Sequence, residues 1–163
     1  MALTLDILAS YRDPGRVLRR RLDGPRDGRD EARALVTLML ACFIVFVAQW
    51  PRLSREAFET GRPLDMLVGG ALLGWLFIAP LFFYGLAAIS HLVARMAGGR
   101  ATWLQARMAL FWALLAASPL WLLWGLMSGM LVAHLAVDMV GIAALVAFAI
   151  IWIAGLWSVE RGR

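Results

Sequence analysis

Four long stretches without a charged residue constrain this chain more than any other feature. They contain 18, 29, 30 and 21 residues and run from Ala34 to Pro51, Met66 to Ala94, Met108 to Val137 and Met139 to Val159. A helix that crosses the hydrocarbon of a bilayer needs about 20 apolar residues at about 1.5 Å each. Every stretch is near or above that length, so we expect an all-α, polytopic transmembrane bundle.

The composition agrees with a lipid environment. Hydrophobic residues make up 62% of the chain and charged residues 17%, against about 45–50% and about 25% in soluble domains. All 16 basic residues are arginine, and the net charge is +5. Arginine without lysine is typical of a high-GC bacterial genome. The arginines stand between apolar stretches, where they orient helices, so we expect no nucleic-acid partner.

The number of spanning helices depends on how the third stretch is divided. Its 30 residues leave a fifth helix open on length alone. Gly125, Ser128 and Gly129 are typical turn residues, so we expect a turn there and four spans. Their approximate bounds are 34–50, 65–95, 103–125 and 131–157, within a transmembrane domain of residues 34–158 that is followed by a tail at 159–163.

Arginine placement predicts the orientation. With four spans and the N-terminus inside, all but three of the 16 arginines face the cytoplasm. The other three lie in the first outer loop together with three acids: Arg52, Arg55, Arg62, Glu56, Glu59 and Asp65. Five spans would place Arg161 and Arg163 outside. We therefore expect a bacterial inner-membrane protein with both termini in the cytoplasm.

The N-terminal segment, residues 1–33, differs in kind because apolar and basic residues alternate closely. We interpret residues 2–23 as an interfacial helical element on the cytoplasmic leaflet. Its basic residues would approach anionic phospholipid headgroups; the candidates are Arg16, Arg19, Arg20 and Arg21. A solvated basic tail is the alternative.

Residues with chemical potential are few and scattered. His134 and Asp138 share a helical face, but a third metal ligand is missing. His91 near Arg95 is expected to reach toward the headgroups, and Cys42 is expected to pack. We therefore expect no catalytic residue, no metal and no cofactor.

Glycine and proline positions indicate where helices turn, kink or approach one another. Gly98 and Gly99 predict a tight hairpin between spans two and three; the alternative, a phosphate-binding loop, would lack its lysine. Gly70-x-x-x-Gly74 has the spacing of close helix packing, within the protomer by preference and between protomers otherwise.

Two further features concern the third stretch and its neighbour. Gly125-x-x-x-Gly129 falls at the expected turn and is given little weight as a packing motif. Pro80 and Pro119 each remove a backbone donor, so we expect kinks in spans two and three.

Several stretches resemble the Yip domain family, whose name refers to proteins that interact with Rab-type GTPases. The likeness covers roughly residues 4–158 and rests on Leu5–Leu8 with Asp13-Pro14 and Val17–Arg20, on His91-Leu92-x-Ala94-Arg95 with Gly98–Trp103 and Gln105, on Ala117-Ser118-Pro119, and on Ile151-Trp152-x-x-Gly155-Leu156. The resemblance implies a non-enzymatic helical membrane protein. Family members usually continue into a fifth helix after the Gly-Leu segment, whereas this sequence ends at Arg163.

These features favour a structural or interaction protein that packs against itself or other integral membrane proteins. A specific version is an accessory subunit of a larger membrane complex. The alternative is a small transporter or channel component, which would need a water-accessible path near Pro80 and Pro119.

Overall fold

Helices account for nearly all of the chain that the structure describes. This computed structural model describes residues 2–23, 28–96, 98–131 and 135–160, of which 89% are helical and none forms a strand. The helices are α1 (Ala2–Ser10), α2 (Pro14–Leu22), α3 (Asp30–Ala48), α4 (Trp50–Thr60), α5 (Leu64–Leu73), α6 (Ala79–Met96), α7 (Trp103–Met130) and α8 (Leu135–Glu160), with a π-helical turn at Gly74–Ile78 between α5 and α6.

Four helical units are long and apolar enough to cross a membrane. Span 1 joins α3 and α4 (Asp30–Thr60), span 2 joins α5, the π turn and α6 (Leu64–Met96), span 3 is α7 and span 4 is α8. The shortest, span 4, has 26 residues, or about 39 Å at about 1.5 Å per residue. A bilayer core is about 30 Å thick. The prediction of an all-α bundle with four spans is confirmed.

Span 3 lies at the centre of the bundle. Every residue from Met108 to Ser118 is buried, including the large side chains of Phe111 and Trp112. The Tyr84 ring of α6 meets the Phe111 ring edge-on, with 5.0 Å between the ring centroids. A helix that is apolar on all sides is typically enclosed by others or by lipid, and α7 is enclosed by its neighbours.

Spans 2 and 4 lie at the periphery. In their most apolar windows only 11% and 17% of the residues are buried, compared with 44% in span 1 and 56% in span 3. Since spans 2 and 4 are as apolar as the central helices, their uncovered faces suit contact with lipid.

The N-terminal helices belong to the core and do not form a free tail. Ile7, Val17 and Leu18 are buried in the same apolar cluster as Ala109 of α7. Between α1 and α2 the chain turns, and the Asp13 side chain accepts a hydrogen bond from the Arg16 N–H, 3.0 Å away. Pro14 then occupies the first turn of α2, where its missing donor costs nothing.

One end of the bundle brings together the N-terminal helices, the connection at residues 98–102 and the end of α8; we call it the hairpin end. The Ala101 N–H donates to Glu160 Oε2 at 3.0 Å, and Arg107 pairs with Glu31 at 2.7 Å. A Cβ added to Gly15 would lie 2.8 Å from Ser158 Cβ. This end is therefore held by contacts between residues far apart in sequence.

At the opposite end the structure corrects two expectations. The turn expected at Gly125, Ser128 and Gly129 is wrong, because α7 continues as a helix to Met130. The expected outer loop is largely the helix α4, which begins at Trp50 and ends at Thr60, with Gly61 at φ 67°. Arg55 of α4 donates hydrogen bonds to the carbonyl groups of Ser128 and Leu131, which joins this helix to the end of α7.

Candidate functional site

The four arginines proposed to meet lipid headgroups have different surroundings. Arg21 turns inward, where it pairs with Asp6 at 2.8 Å and its guanidinium lies 3.8 Å from the Trp112 ring centroid. Arg16 pairs with Asp13 at 3.3 Å while remaining 84% exposed. The side chains of the other two are exposed, namely Arg19 and Arg20. These two are therefore best placed for a headgroup contact.

The inward ion pair adjoins a polar cluster that the sequence did not indicate. The Trp112 indole N–H donates to Ser10 Oγ at 2.9 Å, and Ser10 Oγ donates to the Asp6 carbonyl at 2.7 Å. Tyr11 donates its hydroxyl to the Ala116 carbonyl at 3.0 Å. Burial raises the pKa of Tyr11, so the phenol keeps the proton that it donates. These contacts join α1 to the middle of span 3.

The two Gly-x-x-x-Gly pairs behave opposite to expectation. A Cβ on Gly70 or Gly74 would meet none of the described atoms within 4 Å, whereas one on Gly125 would meet the backbone of Ala48. One on Gly129 would meet Pro51. The preference for packing of the first pair within the protomer is therefore contradicted. The second pair, given little weight from sequence, is where spans 1 and 3 approach.

The two prolines also differ in their surroundings. Pro80 is buried and stands two residues after the π turn, at whose end the Ala79 N–H donates to the Gly74 carbonyl. Such a turn adjusts the backbone near a residue that cannot donate. Pro119 lies inside α7 and is exposed. The two residues therefore do not face a shared interior.

The connection between spans 2 and 3 reverses at the glycine pair. Gly98 has φ 87°, a conformation that favours glycine, and the Gly99 N–H donates to the Ala94 carbonyl at 2.9 Å. A Cβ on Gly99 would collide with the Glu160 carboxylate. Thr102 and Gln105 form a reciprocal capping box at the start of α7.

Beside this connection, His91 is buried rather than directed toward headgroups. Only 2% of its surface is exposed, and its ring lies against that of Trp103, with the centroids 4.2 Å apart. Neither ring nitrogen has a hydrogen-bond partner among the described residues. The expectation that it would reach outward is wrong, because Trp103 folds over it.

A groove runs between α6 and α8 at the hairpin end. Its cavity volume is about 730 Å³, and Leu86, Val93 and Leu156 are among its lining residues. Glu160 and Trp152 also line it. Each contributes a buried polar atom without a partner in the described part of the chain, Oε1 and Nε1 respectively. The groove is therefore apolar along its walls and polar at particular points.

Metal-binding chemistry has little support in the part of the chain that is described. No three residues among its histidines, cysteines, aspartates and glutamates come together as a ligand set. The His134–Asp138 pair considered from sequence includes a residue, His134, that lies outside the described ranges.

Comparison with known proteins gives one result at the level of the family. No curated protein and no solved structure matches this chain. The Yip1 domain model matches residues 8–162, which include α2, all four spans and the connection at 98–102. Proteins of this family are non-enzymatic membrane proteins. The resemblance seen in the sequence is thereby confirmed, and the chain belongs to the Yip1 domain family.

Proposed function

We propose that this protein is a non-catalytic structural or interaction protein of the bacterial inner membrane, and that span 2 is its docking helix. The observation that carries the proposal is the uncovered face of that span. Only 11% of its most apolar window is buried, although the bundle encloses span 3. A second copy or a helix of another membrane protein would cover this face.

The uncovered face has the shape that helix packing in lipid requires. Gly70 and Gly74 leave a shallow backbone surface with no described atom within 4 Å of either added Cβ. Met66, Leu73 and Phe77 flank it and are 58%, 54% and 65% exposed. Between helices in lipid, association depends on close van der Waals packing, which small residues permit because they let the two backbones approach. An accessory subunit docked on a larger complex would use this surface.

Charge supports the proposed orientation. The hairpin end carries the exposed Arg19 and Arg20 together with Arg95 and Arg100, and arginine is enriched on the cytoplasmic side of inner-membrane proteins. Both termini would then be cytoplasmic, and α2 would lie near anionic phospholipids. A C-terminal reporter that is active only in the periplasm would contradict this orientation.

The docking role can be tested by native mass spectrometry of the protein purified in mild detergent. We expect a dimer or a complex with other membrane proteins in the wild type. Gly74→Leu should dissociate it without unfolding the protomer, because nothing described lies within 4 Å of the added Cβ. Ala143→Leu, at an exposed position of span 4, is the size-matched control and should leave the complex intact. A wild type that is strictly monomeric would end the proposal.

The transport alternative has less support. It requires a water-accessible path near Pro80 and Pro119, but Pro119 faces outward and the centre of the bundle is filled by Phe111 and Trp112. Cysteine-accessibility scanning along span 3 would reveal such a path as labelling by a polar thiol reagent.

A further inference from the structure

The groove between α6 and α8 opens toward the surroundings of the bundle rather than toward its centre. Ile89 and Ile153 stand on its two walls and are 63% and 55% exposed. Both belong to peripheral spans, so the groove is continuous with surfaces that face hydrocarbon. Its volume of about 730 Å³ lies within the range of about 300–1,000 Å³ found for small-molecule sites. An occupant with a hydrocarbon chain could enter it from the bilayer.

At the cytoplasmic end of the groove, only one of the two oxygens of the Glu160 carboxylate has a hydrogen-bond partner among the described residues. Glu160 Oε2 accepts from the Ala101 N–H at 3.0 Å, whereas Oε1 is buried and has no partner among the described residues. An ionised carboxylate can accept several hydrogen bonds, and a buried acceptor without a donor is unfavourable in a lipid setting. A cationic donor would satisfy Glu160 Oε1 best.

A second unsatisfied group lies deeper in the same groove. The Trp152 Nε1 donor is buried and has no acceptor in the described part of the chain, while its ring stacks on Phe148 with 5.8 Å between centroids. Trp152 precedes Glu160 by eight positions on α8, or roughly 12 Å along the helix at about 1.5 Å per residue. The groove therefore needs an acceptor within its apolar part and a donor at its cytoplasmic end.

We propose that this groove binds a phospholipid of the cytoplasmic leaflet whose headgroup carries an ammonium, as phosphatidylethanolamine does. The ammonium donates to Glu160 Oε1 and an ester oxygen of the glycerol accepts from the Trp152 N–H. Val93 and Leu156 flank the part of the lipid between these two groups, and an acyl chain continues past Leu86. The carboxylate disfavours phosphatidylglycerol, which carries a net negative charge and no cation. This site goes beyond helix docking through span 2, since its lining residues on α6 and α8 include neither Gly70 nor Gly74.

The test compares retention of phosphatidylethanolamine and phosphatidylglycerol by the full chain in native mass spectrometry after titration with each lipid. Glu160→Gln keeps an acceptor for the Ala101 N–H and replaces the other oxygen with an amide donor. We expect it to lower phosphatidylethanolamine affinity by about tenfold, the loss of one charge-assisted hydrogen bond. Glu59→Gln is the matched control, because Glu59 is on α4 at the opposite end and 62% exposed; it should change nothing.

A second variant distinguishes the loss of a lipid contact from a general loss of structure at the hairpin end. Trp152→Phe keeps the stacked ring and removes only the donor, and we expect a loss of phosphatidylethanolamine affinity of about threefold to tenfold. Trp121→Phe removes another buried and unpartnered indole N–H outside the groove and should have no effect. Equal retention of the two lipids by the wild type, or unchanged phosphatidylethanolamine affinity in both groove variants, would overturn the proposal. Crosslinking from position 153 to a second protein chain, rather than to lipid, would also overturn the proposal.

Discussion

Replacing Gly125 with alanine tests the contact that holds spans 1 and 3 together. The added Cβ would collide with the Ala48 carbonyl oxygen and lie 2.7 Å from its carbonyl carbon and 3.1 Å from its Cα. All three are backbone atoms, so α3 itself must move. Overpacking of this kind costs about 1–3 kcal/mol, while the change from glycine to alanine within a helix gains about 1 kcal/mol. We expect a net destabilisation of about 0–2 kcal/mol.

Gly85→Ala, inside α6, is the matched control because it brings the same gain in helix propensity with no described atom within 4 Å. The difference between the two variants therefore isolates the contact, and we expect about 1–3 kcal/mol. Equilibrium unfolding in mixed micelles of a mild detergent and dodecyl sulfate, followed by circular dichroism, measures it. If Gly125→Ala unfolds at the same or a higher dodecyl sulfate fraction than Gly85→Ala, the reasoning about the contact between spans 1 and 3 is refuted.

Two further predictions concern the N-terminal helices. Arg21→Met removes the ion pair with Asp6 and the contact with Trp112, so we expect the free energy of unfolding to fall by about 1–3 kcal/mol in the same assay. The control Arg16→Met, at a position 84% exposed, should change it by no more than about 0.5 kcal/mol. Equal losses in the two variants would contradict this prediction. Because burial raises the pKa of Tyr11 above its ordinary 10.0, the folded protein holds this proton more tightly than the unfolded chain, and stability should fall as the pH rises above that value. Tyr11→Phe should flatten this decline, and an unchanged pH profile would show that the Tyr11 hydroxyl is not buried in the native fold.

The N-terminal helices show what a local sequence pattern can predict and what it cannot. Apolar residues in α1 and α2 favoured an interfacial element over a free tail, whereas Val17 and Leu18 are buried in the core against span 3. The pattern could not show that Ser10 and Tyr11 contact residues more than a hundred positions away on span 3. A serine and a tyrosine beside a turn look the same in sequence whether they face water or a helix.

The glycine pairs show the same limit. Both have the spacing that permits close approach, and the sequence offered no means of ranking them apart from their expected place in a helix or a turn. That place was wrong for Gly125 and Gly129, because α7 continues through them. Glycine removes an obstacle to packing, but the position of the neighbouring helix decides whether anything fills the space.

The number and order of the spans followed from the sequence alone, whereas the ends of spans 1 and 3 did not, because α4 and the last turn of α7 extend them. Charged residues and exposed backbone groups are costly in hydrocarbon, so each uncharged stretch had to form a helix whatever its neighbours were. Which span lies at the centre, and which faces remain open, was decided only by the tertiary structure. Lipid is as apolar as a helix-packing surface, so apolar residues mark no inward side. Trp112 and Phe77 are alike apolar in sequence, yet one is 1% and the other 65% exposed.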